Sequence, residues 1–214
     1  MFDVQKLGLT DYRKAWELQK ELIHKVDQGD IPDQFVLLEH PHTLTCGRGS
    51  HQENLLLSVD EYQANGIEVI DIDRGGDVTY HGPGQLVGYP IFKLYDAKKG
   101  AHGYLRDLEE VIIETIAKWG IKGARRTPYT GVWVGDRKIA AIGVKFNHGR
   151  YHQGYITSHG CALNVNTDLS YFNMIVPCGI KEYGVTSMQE ILGEAVEMED
   201  VINELTRQAF TKFA

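Results

Sequence analysis

Apolar residues recur at two periods along this chain, and the places where the period changes mark out its elements. From about Asp11 to Val26, the residues Trp16, Leu22, Ile23 and Val26 return near helical spacing behind a Thr10 cap, which predicts an amphipathic helix. Gln34 to Glu39 is short and almost continuously apolar, as a buried strand is, and Pro41 ends it. Ser58 to Glu61 has capping-box spacing, in which the Ser oxygen and the Glu carboxylate satisfy free helix-start amides, and Gly66 supplies the stop. Ile67 to Ile72 then alternates as a strand. Leu105, Leu108, Ile112, Ile116 and Trp119 fall three and four apart, giving one apolar helix face that Gly120 terminates. Gly131 to Val134, a Gly135-Asp136 turn and Lys138 to Val144 predict a hairpin, and another strand runs from Tyr155 toward Cys161. Thr186 to Gln189 repeats the capping-box pattern, and Val201, Ile202, Leu205 and Ala209 give a final amphipathic helix. Strands crowd the middle and helices flank them, so the expected class is α+β, a sheet with helices on one side, in a single domain over residues 1–214.

Composition narrows this picture. With 43% hydrophobic residues, 24% charged and only 6 Pro, the chain is expected to be globular rather than disordered. No apolar run reaches the roughly 18 residues of a membrane span, and Met1 to Tyr12 lacks an apolar signal core, so neither a membrane nor export is expected. Cys46, Cys161 and Cys178 are scattered and match no disulfide or zinc framework, which fits a reducing cytoplasm. His40, His42, Cys46 and His51 lie close together but in no zinc spacing, so no metal is expected. The net charge of -7 argues against nucleic acid. Residues 121–150 are different: Lys122, Arg125, Arg126, Arg137, Lys138, Lys145 and Arg150 stand against Asp136 alone, a charge of +6 that leaves -13 for the remainder. Folded onto one face, this stretch would steer an acidic partner.

Candidate chemistry concentrates in two places. Arg74 to Gly88, RGGDVTYHGPGQLVG, carries five glycines, which argues against an ordinary core strand and for a backbone that turns sharply or lets a ligand approach closely. It is neither a Walker loop nor a dinucleotide fingerprint, since no Gly-Lys-Ser/Thr follows and the glycine spacing differs. Its bland reading is a turn between strands. The second place is Pro177-Cys178-Gly179, a lone thiol between the most restrictive and the most permissive backbone residues. Such a thiol is more often a small buried hydrophobe; to act as a nucleophile it needs a cation or base nearby, for which Lys138 and His159 are the candidates. Cys161, in an apolar strand pattern, and Cys46, in a Gly-rich turn, read as structural.

Taken together and in order, LLEHPHTLTCGRG (37–49), RGGDVTYHGPGQLVGYPI (74–91), DRKIAAIGVKF (136–146), SHGCALNVNTDL and IVPCGI resemble the lipoyl(octanoyl) transferase family over nearly the whole chain. The resemblance implies a mixed β-sheet with packed helices, the catalytic fold of biotin and lipoate protein ligases. It implies an octanoyl transfer from octanoyl-acyl carrier protein to a lysine of lipoyl domains, those of 2-oxoacid dehydrogenases and the glycine cleavage H protein, in lipoate biosynthesis and without a cofactor. The acyl-thioester cysteine falls on Cys178 and the lysine that lowers its pKa on Lys138. The acyl site falls on Arg74, Gly75, Gly76, Asp77, Val78, Thr79, Tyr80 and His81, on Ala141, Ile142 and Gly143, and on His159, Gly160, Cys161 and Ala162. Backbone amides near Gly75, Gly76 and Gly143 are the expected oxyanion donors, and Lys138, His81 or His159 the expected acceptor of the incoming amine's proton. Both partners in this family are acidic, which gives the +6 stretch a use. Three other readings remain open: an ATP-dependent lipoate or biotin ligase of the same fold, an inactive relative that only binds acylated carriers, and a cysteine hydrolase.

Overall fold

A computed structural model describes residues 1–94, 100–179 and 182–213, the side chain of Cys178 apart. The elements run β1 (Phe2–Leu9), α1 (Tyr12–Gln28), β2 (Asp33–Glu39), β3 (Thr43–Cys46), α2 (Val59–Ala64), β4 (Glu68–Asp71), β5 (Thr79–His81), β6 (Gln85–Ile91) and β7 (Lys93–Leu94). They continue with α3 (Gly100–Ala117), β8 (Ala124–Arg126), β9 (Tyr129–Val134), β10 (Arg137–His148), β11 (Tyr155–Asn164), β12 (Gly184–Val185), α4 (Met188–Leu192) and α5 (Met198–Phe213). The main sheet is nine-stranded, in the order β1-β2-β6-β11-β10-β9-β8 with β7 beside β11 and β12 beside β10, and a second sheet holds β4-β3-β5. Parallel pairs β1–β2, β10–β12 and β3–β4 among antiparallel ones make the architecture mixed α+β.

The helices cover both faces of the main sheet, not one as the order of elements suggested. Strand β2 shows why. Phe35 and Leu37 point into a core shared with α3 and α5, and Val36 and Leu38 into a core shared with α1. A strand whose side chains alternate between two apolar layers reads as a continuous hydrophobic run, as residues 35–38 do.

Strand β6 corrects the reading of the glycine-rich block. It is buried along its whole length at the centre of the sheet, although it carries Gly88. A Cβ at Gly88 would stand 3.0 Å from the Phe35 ring and 3.3 Å from the Cys161 Sγ, so the glycine makes room for an aromatic ring. Gly82-Pro83-Gly84 is where the chain leaves the small sheet for the large one, and strand Ile67 to Ile72, observed as β4, belongs to that small sheet.

Candidate active site

The site opens where two strands part. Strand β9 pairs with β10 at Val134–Arg137, Trp133–Lys138 and Val132–Ala140, and then diverges. The loop after β4 takes its place beside β10, with the Gly75 amide donating to the Val144 carbonyl at 3.1 Å. The gap between hairpin and loop is a cavity of about 400 Å³, lined by both segments, by β10 and β11, and by Tyr12 of α1 and Leu105 of α3. That is an ordinary size for a small-ligand pocket.

Of the expected site residues, Arg74, Gly75, Gly76, Asp77, Thr79, His81, Lys138, Ala141, Ile142, Gly143, His159, Gly160, Cys161 and Ala162 line this cavity. Val78 and Tyr80 do not. They are fully buried on the other face of β5 and its approach, in the core of the small sheet with Leu44 and Phe172, because side chains alternate along a strand. The alternation was visible in the sequence; the resemblance took the block whole. Sequence reasoning missed Tyr12, Tyr89, Leu105, Val144, Phe146 and the hairpin tip Pro128–Thr130, which arrive from separate elements.

Two glycines let backbone segments close on each other. A Cβ at Gly143 would lie 2.9 Å from the Gly75 carbonyl and 3.1 Å from the Arg74 Cδ, and one at Gly160 would lie 2.2 Å from the Gly88 carbonyl. Arg74 is buried with its guanidinium on neutral acceptors: Nη2 donates to the Thr45 carbonyl and Oγ1 at 2.8 and 2.9 Å, and Nη1 to the Gly75 carbonyl. The Gly75 amide is engaged with Val144 and so is not a free oxyanion donor. His81 donates from Nδ1 to Gln85 Oε1 at 2.8 Å, and burial holds its pKa well below the usual histidine range.

Lys138 is 7% exposed and pairs with no carboxylate among the described residues; its Nζ sits 5.0 Å from the Trp133 ring centroid. Strand β12 fixes its backbone, the Thr186 amide donating to the Lys138 carbonyl at 2.9 Å. Pro177-Cys178-Gly179 forms a short 3-10 turn. The Val176 amide donates to the Asn54 carbonyl at 2.9 Å, and Asn54 Nδ2 donates to Asp77 Oδ2 at 2.5 Å. Gly179 packs on the same carboxylate: a Cβ there would lie 2.7 Å from Asp77 Oδ2. Pro177 and Lys138 line one narrow cleft beside the cavity, together with Thr79 and Ala162. The Cys178 backbone therefore reaches the Lys138 end, while its side chain lies outside the described residues.

Strand register separates the two expected partners of the thiol. His159 lies opposite Val144, six places along β10 from Lys138. At ~3.3 Å per residue the two ends are roughly 20 Å apart. His159 is thus not the charge partner of a thiol beside Lys138, nor the acceptor of a proton there. Cys161 is buried between Gly88 and Phe35, and burial pushes its thiol up to about 12, as a structural cysteine requires; burial raises the Cys46 thiol also.

The +6 stretch does not form a bare cationic face. Arg125 pairs with buried Glu109 at 3.1 Å and with Glu110, Arg126 with Asp136, Arg137 with Glu190 at 2.7 Å, and Lys145 with Asp73 at 2.6 Å, while Lys138 is buried. The polar segment 146–153 is pinned rather than free, with the amides of Arg150, Tyr151 and His152 donating to the Asp27 carboxylate.

The model of the lipoyl protein ligase A/B catalytic domain matches residues 11–210. An octanoyltransferase from Rubrobacter xylanophilus is 53% identical over 95% of this chain and 90% of its own length, and one from Solibacter usitatus 50% identical over 95% and 89%. Among solved structures, lipoate-protein ligase A bound with ATP superposes with a TM-score of 0.77 at 18% identity over 98% of this chain and 84% of that one. A bipartite lipoate protein ligase described with its E2 lipoyl domain, from Thermoplasma acidophilum, gives 0.71 at 15% over 98% and 82%, and the biotin protein ligase of Aquifex aeolicus 0.53 at 13% over 98% and 68%. The fold is the one these ligases share, and by its sequence the chain belongs to the octanoyltransferases, acyltransferases within the lipoyl protein ligase A/B catalytic-domain family.

Proposed function

We propose that the protein moves an octanoyl group from octanoyl-acyl carrier protein to a lysine of lipoyl domains through a thioester on Cys178, in the cytoplasm. The observation that carries this reading is a buried lysine without a carboxylate partner among the described residues, at the end of a largely apolar-lined cavity where the Pro177–Gly179 turn arrives. An ammonium at Lys138 favours the thiolate form of a neighbouring thiol by Coulomb attraction. The Cys178 thiolate attacks the donor carbonyl, the C–S bond to the carrier breaks, and the carrier sulfur takes a proton from the Lys138 ammonium and leaves as a thiol, so that Lys138 enters the second step as a neutral amine. This exchange of one thioester for another costs little. The acceptor amine then attacks the acyl-enzyme, its proton passing to Lys138 or the departing sulfur, and formation of the amide is downhill without ATP. Dividing the transfer at a covalent intermediate lowers each barrier. Methylenes buried in the cavity contribute roughly 0.8 kcal/mol each, enough for the chain to anchor the donor.

The test is intact-protein mass measurement after incubation with octanoyl-acyl carrier protein. An octanoyl adduct on Cys178 is expected, discharged on addition of a lipoyl domain and absent in Cys178→Ser. Full activity of Cys178→Ser with free octanoate and ATP would replace this reading with a ligase.

A further inference from the structure

Lys138 is buried with no carboxylate partner among the described residues, and the hairpin β8–β9 supplies what holds it. Trp133 of β9 is its direct cross-strand partner, so the two side chains share a face of the sheet. The lysine stem lies along Gly131, where a Cβ would stand 3.4 Å from Cε and 3.5 Å from Cδ. The ammonium ends 5.0 Å from the centroid of the Trp133 ring, inside the roughly 6 Å over which an aromatic face attracts a cation. The ring is itself fixed. It is 1% exposed, Tyr183 stands edge-on to it at 5.6 Å and 82°, and Tyr129, which lines the cavity, lies 6.0 Å away. Arg126 approaches the same ring at 5.5 Å, but Asp136 balances its charge. The indole Nε1–H is buried and finds no hydrogen-bond partner among the described residues. Phenylalanine would fill a core position without that penalty, so the position calls for the ring face, which in tryptophan attracts cations most strongly.

We propose that Trp133 is the positioning residue of the Lys138 ammonium: its ring face holds the cation at the end of the cavity where the Pro177–Gly179 turn arrives, and leaves the charge free to act on the thiol. This rests on the reading that Cys178 reacts as a thiolate beside Lys138. A carboxylate could hold the lysine as well, but opposite unit charges in contact nearly cancel at a third group a few ångströms away, and the thiolate would lose its stabilisation. An aromatic face carries no net charge, and the attraction of its quadrupole falls off faster with distance than that of a charge. The cation is therefore anchored while its field survives. Without the face, the flexible four-carbon stem is free to turn the ammonium into the open cavity.

Fluorinated tryptophan placed at position 133 keeps the shape of the ring and weakens its negative face, so it tests the contact in a folded protein. The pH midpoint for alkylation of Cys178 by iodoacetamide is read with no, one and three fluorines on the ring, beside Trp133→Phe and Trp133→Leu, with thermal unfolding of each. The midpoint is expected to rise as fluorines are added, by about one unit for three, leaving up to about tenfold less thiolate below the midpoint. Trp133→Phe, which retains a weaker face, should fall between the wild type and Trp133→Leu; should the leucine variant not fold, the fluorine series decides alone. In a Lys138→Met background the fluorines should move nothing, since the cation they act on is gone. A midpoint that stays or falls as fluorines are added overturns the proposal, and so does an equal rise in the Lys138→Met background. A Lys138→Met midpoint equal to that of the wild type, or the lack of any octanoyl adduct on Cys178, overturns the underlying thiolate reading, and the role of Trp133 with it.

Discussion

Gly143 shows how little room the site leaves at single positions. Alanine there would push a Cβ to 2.9 Å from the Gly75 carbonyl and displace the loop that replaces β9 as the partner of β10. Gly143→Ala is expected to cut the rate of acyl-enzyme formation by tenfold or more while lowering stability by only about 1–2 kcal/mol, measured by single-turnover kinetics beside urea unfolding. A variant that loses stability and keeps its rate would show that the close approach serves folding alone. Lys138 gives the electrostatic counterpart. Lys138→Met keeps the stem and removes the charge, so the pH midpoint for alkylation of Cys178 should rise by about two units toward the ordinary thiol value of about 8.5, leaving roughly 25-fold less thiolate at about pH 7. Alkylation rates followed against pH read this directly, and an unshifted midpoint would remove Lys138 from the mechanism. Of these two residues, the lysine could be named from the sequence as a possible cation for the thiol, but not its burial, since a lysine in a strand pattern has no local mark of it.

At the scale of elements, turn chemistry was legible to within a residue. The Ser58–Glu61 box forms as read, but α1 is capped by Asp11, whose carboxylate accepts from the Lys14 amide at 3.0 Å, and α4 by Ser187 rather than Thr186. Each shift reflects two adjacent residues able to cap, between which the path of the preceding strand chooses. The hairpin β8–β9 carries a feature no local pattern announced. Glu109 of α3 is fully buried and accepts from Arg106 Nη1 at 2.6 Å, Arg125 Nε at 3.1 Å and the Gly131 amide at 3.0 Å, which ties the hairpin bearing Pro128–Thr130 to the helix beneath it. Glu109→Gln takes the anion from Arg106 and one of two carboxylates from Arg125, and about 2–3 kcal/mol of stability should be lost. Hydrogen exchange should quicken first in residues 124–134; uniform quickening across the sheet would mean that the clamp is not local.

The whole molecule has its own pH dependence. Burial lowers the pKa of His40 from 6.5 to about 4 and lowers those of His81 and His159 in the same direction. Unfolded, these rings take up protons near pH 6.5; folded, they resist until lower pH, so the unfolded state binds more protons in the interval. Their contribution to stability is complete above pH 6.5 and is lost as pH falls toward 4. From His40 alone the loss between pH 7.5 and pH 5 is about 2 kcal/mol. Urea midpoints at the two values test this, and His40→Gln, if it folds, should flatten the slope; equal midpoints in the wild type would refute it. The sequence by itself determined the class of fold, most element positions and the chemical blocks, because hydrophobic period, turn residues and cap spacing are local and leave local marks. Only the tertiary structure decided that helices cover both faces, that the basic residues are largely neutralised by carboxylates, that Val78 and Tyr80 turn away from the cavity, and that His159 stands at the opposite end from Lys138. Those facts depend on strand register and on which surfaces meet, and residues far apart in sequence fix both through packing that no short window contains.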